Sequence, residues 1–196
     1  VIGADIYRCR GRQGIAAGAG LLLVSRPFRA VFTLRLYQRL ARSGAGRWLS
    51  PLAAVAHRWA CGAAAMDIPL RTSIGPGFKI AHGWGIVINA HARIGRNVTL
   101  FHGVTIGQAD RIAPDGSRIT RYPVLEDNVW VGPGAAILGG VVIGEGSRIL
   151  AGAIVTTDIP PRSLVSGNPA VVIRSDCVPD VDNAWDAGLA DIVGSR

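Results

Sequence analysis

Aliphatic residues recur every six positions through the second two thirds of this chain, and that period excludes most folds. One run is Ile68, Ile74, Ile80 and Ile86. A second, displaced by two, is Ile88, Ile94, Leu100 and Ile106. A third is Leu125, Val131, Ile137, Ile143, Ile149 and Val155. Six residues are roughly 600° of α-helical rotation, so a helix would scatter these side chains around its circumference. A short strand followed by a tight turn accommodates them. Three such sides close a triangular coil of about 18 residues, with the aliphatics pointing inward. Each coil buries its apolar face only against the next, so stacking supplies the core. Gly follows the aliphatic at 75, 95, 107, 132 and 144, where the corners are expected to use its conformational freedom.

The 196 residues carry a formal charge of +8, unevenly spread. Residues 6–66 hold ten Arg and no Asp, Glu or Lys, whereas 67–196 sum to −1. An apolar fraction of 49% excludes a disordered chain. Cys9, Cys61 and Cys177 are spaced too widely for a disulfide scaffold or a zinc finger. The most apolar stretch, 14–25, is about half of the roughly 20 residues a membrane span needs. It also lacks a signal-peptide cleavage pattern, so the chain is expected to be cytoplasmic.

Ahead of the repeat, Ser25 and Pro27 mark a helix start. Phe28, Phe32, Leu36 and Leu40 line one face, and Gly44 and Gly46 end it. Residues 48–64, with Trp48, Leu52, Val55 and Trp59, form a second helical stretch. The domains expected are a helical cap over 1–66, a β-coil over 67–173 and an acidic tail over 174–196. The cap is expected to pack on the first coils or on another subunit. Its arginines suit a solvated face or a peripheral contact with anionic lipid; no nucleic-acid motif accompanies them. The tail carries Asp176, Asp180, Asp182, Asp186 and Asp191 and is expected to be loose, with Trp185 docking on a neighbour.

The hexads and the exit sequence TTDIPPRSLVSGNPAVVIR resemble the hexapeptide-repeat acyltransferases. Within them the chain is most similar to the serine acetyltransferase family, one branch of which acetylates exopolysaccharide sugars, as in colanic acid synthesis. The resemblance covers 67–173 well and 26–46 more weakly. It implies a mainly β fold, a left-handed parallel β-helix with a short N-terminal α-helical region. It also implies a homotrimer with active sites between subunits, or a dimer of trimers, using acetyl-CoA as co-substrate and no metal.

Acetyl transfer to a hydroxyl needs a base, a group that orients it, and donors for the oxyanion. The chain has four histidines: His57, His82, His91 and His102. Asp67 precedes His82 by slightly less than one regular coil. It would lie beneath position 85, within reach of His82. The family's DIHP motif precedes its catalytic His at this spacing, so the resemblance implies Asp67 and His82 as the catalytic dyad. His102 holds the hexad position of His82 one coil later and is expected in the same cleft. His91 and His57 lack a motif and read as surface or packing residues. Galactoside- and maltose-type O-acetyltransferases carry their base where this chain has Gly134, in VWVGPGAAI, so that arrangement lacks its histidine here.

The hexads pause between Gly107 and Tyr122, in a polar loop with a Pro-Asp-Gly turn. The family's loop ends in Arg-His-Pro and contacts the acceptor from a neighbouring subunit; here Arg121-Tyr122-Pro123 stands in that place, with Arg121 carried over as a carboxylate clamp. Along the acetyl-CoA groove the resemblance implies Gly107, Gly132, Pro133 and Ala151, with Arg148 near the phosphates. The family's GGTG is GQAD at 107–110.

Three departures bear on the acceptor. Ala81 replaces the Asp before the dyad His, Tyr122 replaces the loop His, and residues 6–66 offer no carboxylate. Each removes a partner for free serine. HGWGIVIN also resembles the exopolysaccharide branch. The function expected is an acetyl-CoA-dependent O-acetyltransferase acting on serine or on a polysaccharide-precursor sugar. The alternative is a non-catalytic β-helix scaffold or membrane-associated assembly module. Family members that bind cysteine synthase end in Ile; this sequence ends Gly194-Ser195-Arg196, so no cysteine synthase complex is expected.

Overall fold

The structure is a computed structural model and describes residues 1–186. It opens with four helices: α1 (Ile2–Arg10), α2 (Ile15–Val24), α3 (Arg26–Arg42) and α4 (Ser50–Ala63), the last preceded by a 3-10 turn at Arg47–Leu49. At the start of α3 the Ser25 hydroxyl accepts the Phe28 N–H at 3.2 Å, with Pro27 in the first turn. α1 carries no apolar stripe in the sequence because its buried face is partly ionic, Asp5 and Arg8 beside Ala4 and Ile6.

From Asp67 the chain winds as a left-handed parallel β-helix. One face stacks β1 (Ser73–Ile74), β4 (Arg93–Ile94), β9 (Val124–Leu125) and β12 (Val142–Ile143). The second stacks β2 (Lys79–Ile80), β5 (Thr99–Leu100), β10 (Trp130–Val131), β13 (Arg148–Ile149) and β15 (Leu164–Gly167). The third stacks β3 (Val87–Ile88), β6 (Thr105–Gly107), β11 (Ala136–Leu138) and β14 (Ile154–Val155). The periodic aliphatics all point inward, none more than 8% exposed. The core they form continues into the helices through Ala30, Val31, Leu34 and Cys61.

The displacements of the repeat are changes in coil length. Ile137 pairs with Val155, three hexads on, which is a regular coil. Ile80 pairs instead with Leu100, two positions beyond the regular partner. The extra positions sit in the corner between β2 and β3, which holds His82, Gly83, Trp84 and Gly85. Ile94 pairs with Leu125, across a much longer coil. That coil extrudes an antiparallel hairpin, β7 (Ala109–Ile112) with β8 (Arg118–Arg121).

The glycines after the aliphatics serve closeness rather than turning. A Cβ on Gly75 would lie 2.6 Å from the carbonyl carbon of Gly95, and one on Gly144 would lie 2.4 Å from the nitrogen of Pro161. Turning falls to other positions, such as Gly103 and Asn97 with φ of 69° and 55°.

Two arginines of the Arg-only segment, expected at a solvated or lipid-facing surface, are instead buried in the joint between helices and β-helix. Arg8 donates to the Gly77 and Asn97 carbonyls and to Thr99 Oγ1. Arg35 donates to the Ile74 and Gly75 carbonyls, both at 2.6 Å.

Against the expectation of a loose tail, the chain through Asp186 forms a strap along the second face. β16 (Ala170–Arg174) pairs antiparallel with β15. The Cys177 N–H then bonds the Arg162 carbonyl, Asp180 pairs with Arg148 at 3.0 Å, and Asp182 pairs with Lys79 and Arg8. Trp185 packs edge-on against Tyr7 at 5.7 Å, within its own chain rather than on a neighbour. Opposite charge and an aromatic contact hold what the acidic composition alone read as free. Asp191 and the terminal Gly194–Arg196 lie outside the described residues.

Candidate active site

The register aligns four of the expected site residues on one corner. Ile80 pairs with Leu100, Leu100 with Val131, and Val131 with Ile149. Two positions beyond each stand His82, His102, Pro133 and Ala151. Corner hydrogen bonds keep the stack: the Gly134 N–H donates to the His102 carbonyl at 2.9 Å, and the Gly152 N–H to the Pro133 carbonyl at 2.8 Å. The His82 and His102 rings are 6.3 Å apart, edge to face, and both side chains are exposed. Phe101 lies 5.8 Å from the His82 ring and 4.8 Å from Trp130.

Asp67 does not lie beneath position 85. It bridges to Val87, because the widened His82 corner lengthens this coil by two positions. Asp67 is exposed, and among the described residues no hydrogen bond joins it to His82. The same corner presents Trp84, 53% exposed, with the Arg26 guanidinium 5.5 Å from its ring centre. Gly83 permits this approach of α3: a Cβ there would sit 2.7 Å from Pro27 Cγ.

Gly107, Arg121 and Tyr122 belong to a different corner of the same chain, between the third face and the first. The Gly139 N–H donates to the Gly107 carbonyl at 3.0 Å. Arg121 folds over Gly140, whose Cβ would meet its side chain at 2.6 Å. Tyr122 stacks on His91 with ring centres 4.7 Å apart. The signal for that pair was available: once the extruded hairpin is counted into its coil, His91 falls beneath Tyr122. At the root of the hairpin Gln108 bonds Asn89 at 3.1 Å. Hydrogen bonds from Thr120 and Arg118 hold the Asp110 carboxyl below its usual range.

Gly132 is buried where its Cβ would strike the Trp130 ring and the Ala151 nitrogen, at 2.8 and 2.9 Å. Arg148 lies on the second face, its guanidinium 4.5 Å over the Trp130 ring. Its Nε is buried without a hydrogen-bond partner among the described residues, while Asp180 takes its Nη1. His57 is buried in the helices, its Nε2 2.7 Å from the Ile68 carbonyl and its Nδ1 3.1 Å from Thr33 Oγ1. It packs the helices onto the first coil.

The bacterial transferase hexapeptide (six repeats) model matches residues 122–157. The serine acetyltransferase of Mycobacterium tuberculosis is 36% identical over 192 residues, covering 97% of this chain and 80% of its own length. The chain belongs to the serine acetyltransferase family. As a member of this O-acetyltransferase family it shares its fold with solved relatives. A soybean serine acetyltransferase complexed with serine superposes with a TM-score of 0.70 at 34% identity, covering 87% of this chain and 67% of that one. A Brucella abortus serine acetyltransferase in complex with coenzyme A gives a TM-score of 0.72 at 28% identity, over 91% and 68%. The chain spans about half the length of the Bacillus subtilis relative, 48%. Among the described residues no helix is long and apolar enough to cross a membrane.

Proposed function

We propose that this chain transfers acetyl from acetyl-CoA to an acceptor hydroxyl, with His82 as general base and Asp67 as the group that orients it. The observation carrying this reading is the alignment of His82, His102, Pro133 and Ala151 along one exposed corner of an acyltransferase-family β-helix. Imidazole is suited to the role near neutral pH. His82 takes the hydroxyl proton as the acceptor oxygen attacks the thioester carbonyl. The carbon–sulfur bond then breaks, and the CoA sulfur leaves with the proton that His82 returns. Asp67 steadies the imidazolium; catalytic hydrogen bonds that are open without substrate tighten in its complex.

Residues 67–173 form the catalytic unit in this reading. Gly132, Pro133 and Ala151 bound the pantetheine groove, and Arg148 meets the phosphates. Gly107 borders the same groove across a subunit boundary. Arg121 and Tyr122 lie on a different corner from His82, so they complete the site of the next subunit in a homotrimer, with His102 beside the acceptor.

The relatives favour L-serine as acceptor. A second reading, a sugar hydroxyl, is favoured by Asp5: it is the one carboxylate before Asp67, and it is buried against Arg35, leaving the helices no acidic partner for an ammonium group. Thiol release from acetyl-CoA, measured against serine, homoserine and a panel of nucleotide sugars, separates the two. His82→Ala should abolish release with every acceptor; substantial residual turnover would remove His82 as base. Absence of acetyl-CoA binding in calorimetry at millimolar ligand would support a non-catalytic scaffold instead.

A further inference from the structure

α4 reverses the usual burial pattern of a surface helix. Its inward face is small and polar, with Ala53, His57 and Cys61 buried. Its outward face carries Leu52, Val55 and Trp59, exposed by 69, 66 and 81%. Their spacing of three and four places them on one stripe. Trp48 and Leu49, exposed by 87 and 54%, extend the apolar run toward the helix start. The stripe borders an open groove of about 570 Å³, which Leu22 of α2 and Phe32 of α3 also line. Leu23 and Val24 at the end of α2 are exposed by 79 and 73%. A contiguous apolar surface of this kind marks an interaction site.

The charges around it have one sign. Arg29 lines the groove, Arg58 adjoins Trp59, and Arg47 precedes Trp48, while residues 6–66 contain no Asp or Glu. A second copy docking face to face would set this arginine rim against itself. Of the two carboxylates that bracket this segment, Asp5 is buried in its pair with Arg35, and Asp67, exposed at the start of the β-helix, is not among the residues that line the groove. A bilayer surface has the complementary layers: anionic phosphates outside, for arginine, and an acyl boundary within, for leucine, valine and tryptophan. None of the described helices is long and apolar enough to cross a membrane, so the contact proposed is interfacial.

We propose that the α2–α4 face docks in the plane of an anionic lipid bilayer. Leu52, Val55 and Trp59 enter the acyl boundary, and Arg29, Arg47 and Arg58 meet lipid phosphates. The inference is independent of the acceptor. Its test is co-sedimentation of the full chain with phosphatidylcholine vesicles, with and without phosphatidylglycerol. Binding should be about tenfold or more tighter with phosphatidylglycerol and should weaken as salt is raised. Arg58→Gln should cost about fivefold in partitioning. The pair Leu52→Ser with Trp59→Ser should abolish binding while thermal unfolding and acetyl-CoA consumption stay unchanged, since both side chains face water. Equal partitioning onto both vesicle types, or full retention by the paired variant, overturns the proposal. So does a lipid-free doubling of mass that Trp59→Ser reverses, which would assign the face to a second copy.

Discussion

Arg35 Nε lies 2.9 Å from Asp5 Oδ2, with side-chain exposures of 4 and 1%. The pair is fully committed: Arg35 also donates to the Ile74 and Gly75 carbonyls, and Asp5 Oδ1 accepts the Phe78 N–H at 2.9 Å. Burial pushes the Asp5 carboxyl up, and Arg35 opposes that push. Removing one partner strands the other charge. Arg35→Met should therefore lower unfolding free energy by about 3–5 kcal/mol, read by denaturant titration. Adding Asp5→Leu to Arg35→Met should recover part of the loss, because no unpaired charge then remains.

Gly144 has no room for a methyl group, with Pro161 backbone 2.4 Å from its Cβ position. Gly144→Ala should destabilise the last coils by about 1–3 kcal/mol. Gly134→Ala, at a φ of 66° with none of the described residues within 4 Å of its Cβ position, tests backbone strain alone and should cost about 1 kcal/mol. Thermal unfolding of the two variants checks the difference in cause.

The strap should open in acid. Burial works against the Asp182 charge, but Lys79 and Arg8 outweigh it and hold the carboxyl below its ordinary value of 3.8. A depressed carboxyl contributes stability above the unfolded value and loses it as pH falls through the folded one. Protection of the tail should be intact near neutrality and should fall below about pH 4. Limited pepsin proteolysis across that range checks it, and Asp182→Asn should lose the protection already at neutral pH, where trypsin reads it.

In the proposed reaction Asp67 acts through His82, so Asp67→Asn should lower kcat by about 10²-fold or more with the KM for acetyl-CoA little changed. Arg148→Ala should raise the KM for acetyl-CoA about tenfold at similar kcat. Asp180→Asn should lower that KM, because Asp180 occupies Arg148 Nη1 in the strap. Steady-state thiol release measures all three.

The hexads made the β-helix legible because burial imposes its period directly: each inward position is the same environment repeated. Ser25 and Pro27 likewise announced α3, since capping is local chemistry. The strap and the joint were hidden. Asp182 meets Arg8 from the opposite end of the chain, and neither residue type says which opposite charge it will find. Tyr122 on His91 and the displacement of Asp67 to Val87 depended on coil lengths, which the sequence recorded as changes of phase.

By itself, then, the sequence determined the winding of the chain and the residues that fill its interior, because one hexad environment recurs along the whole repeat. Only the tertiary structure decided which corner each functional side chain occupies and which charges are consumed. A widening of the corner at His82 shifts the register of each coil that spans it, and long-range ion pairs withdraw Arg8, Arg35 and Asp5 from solvent.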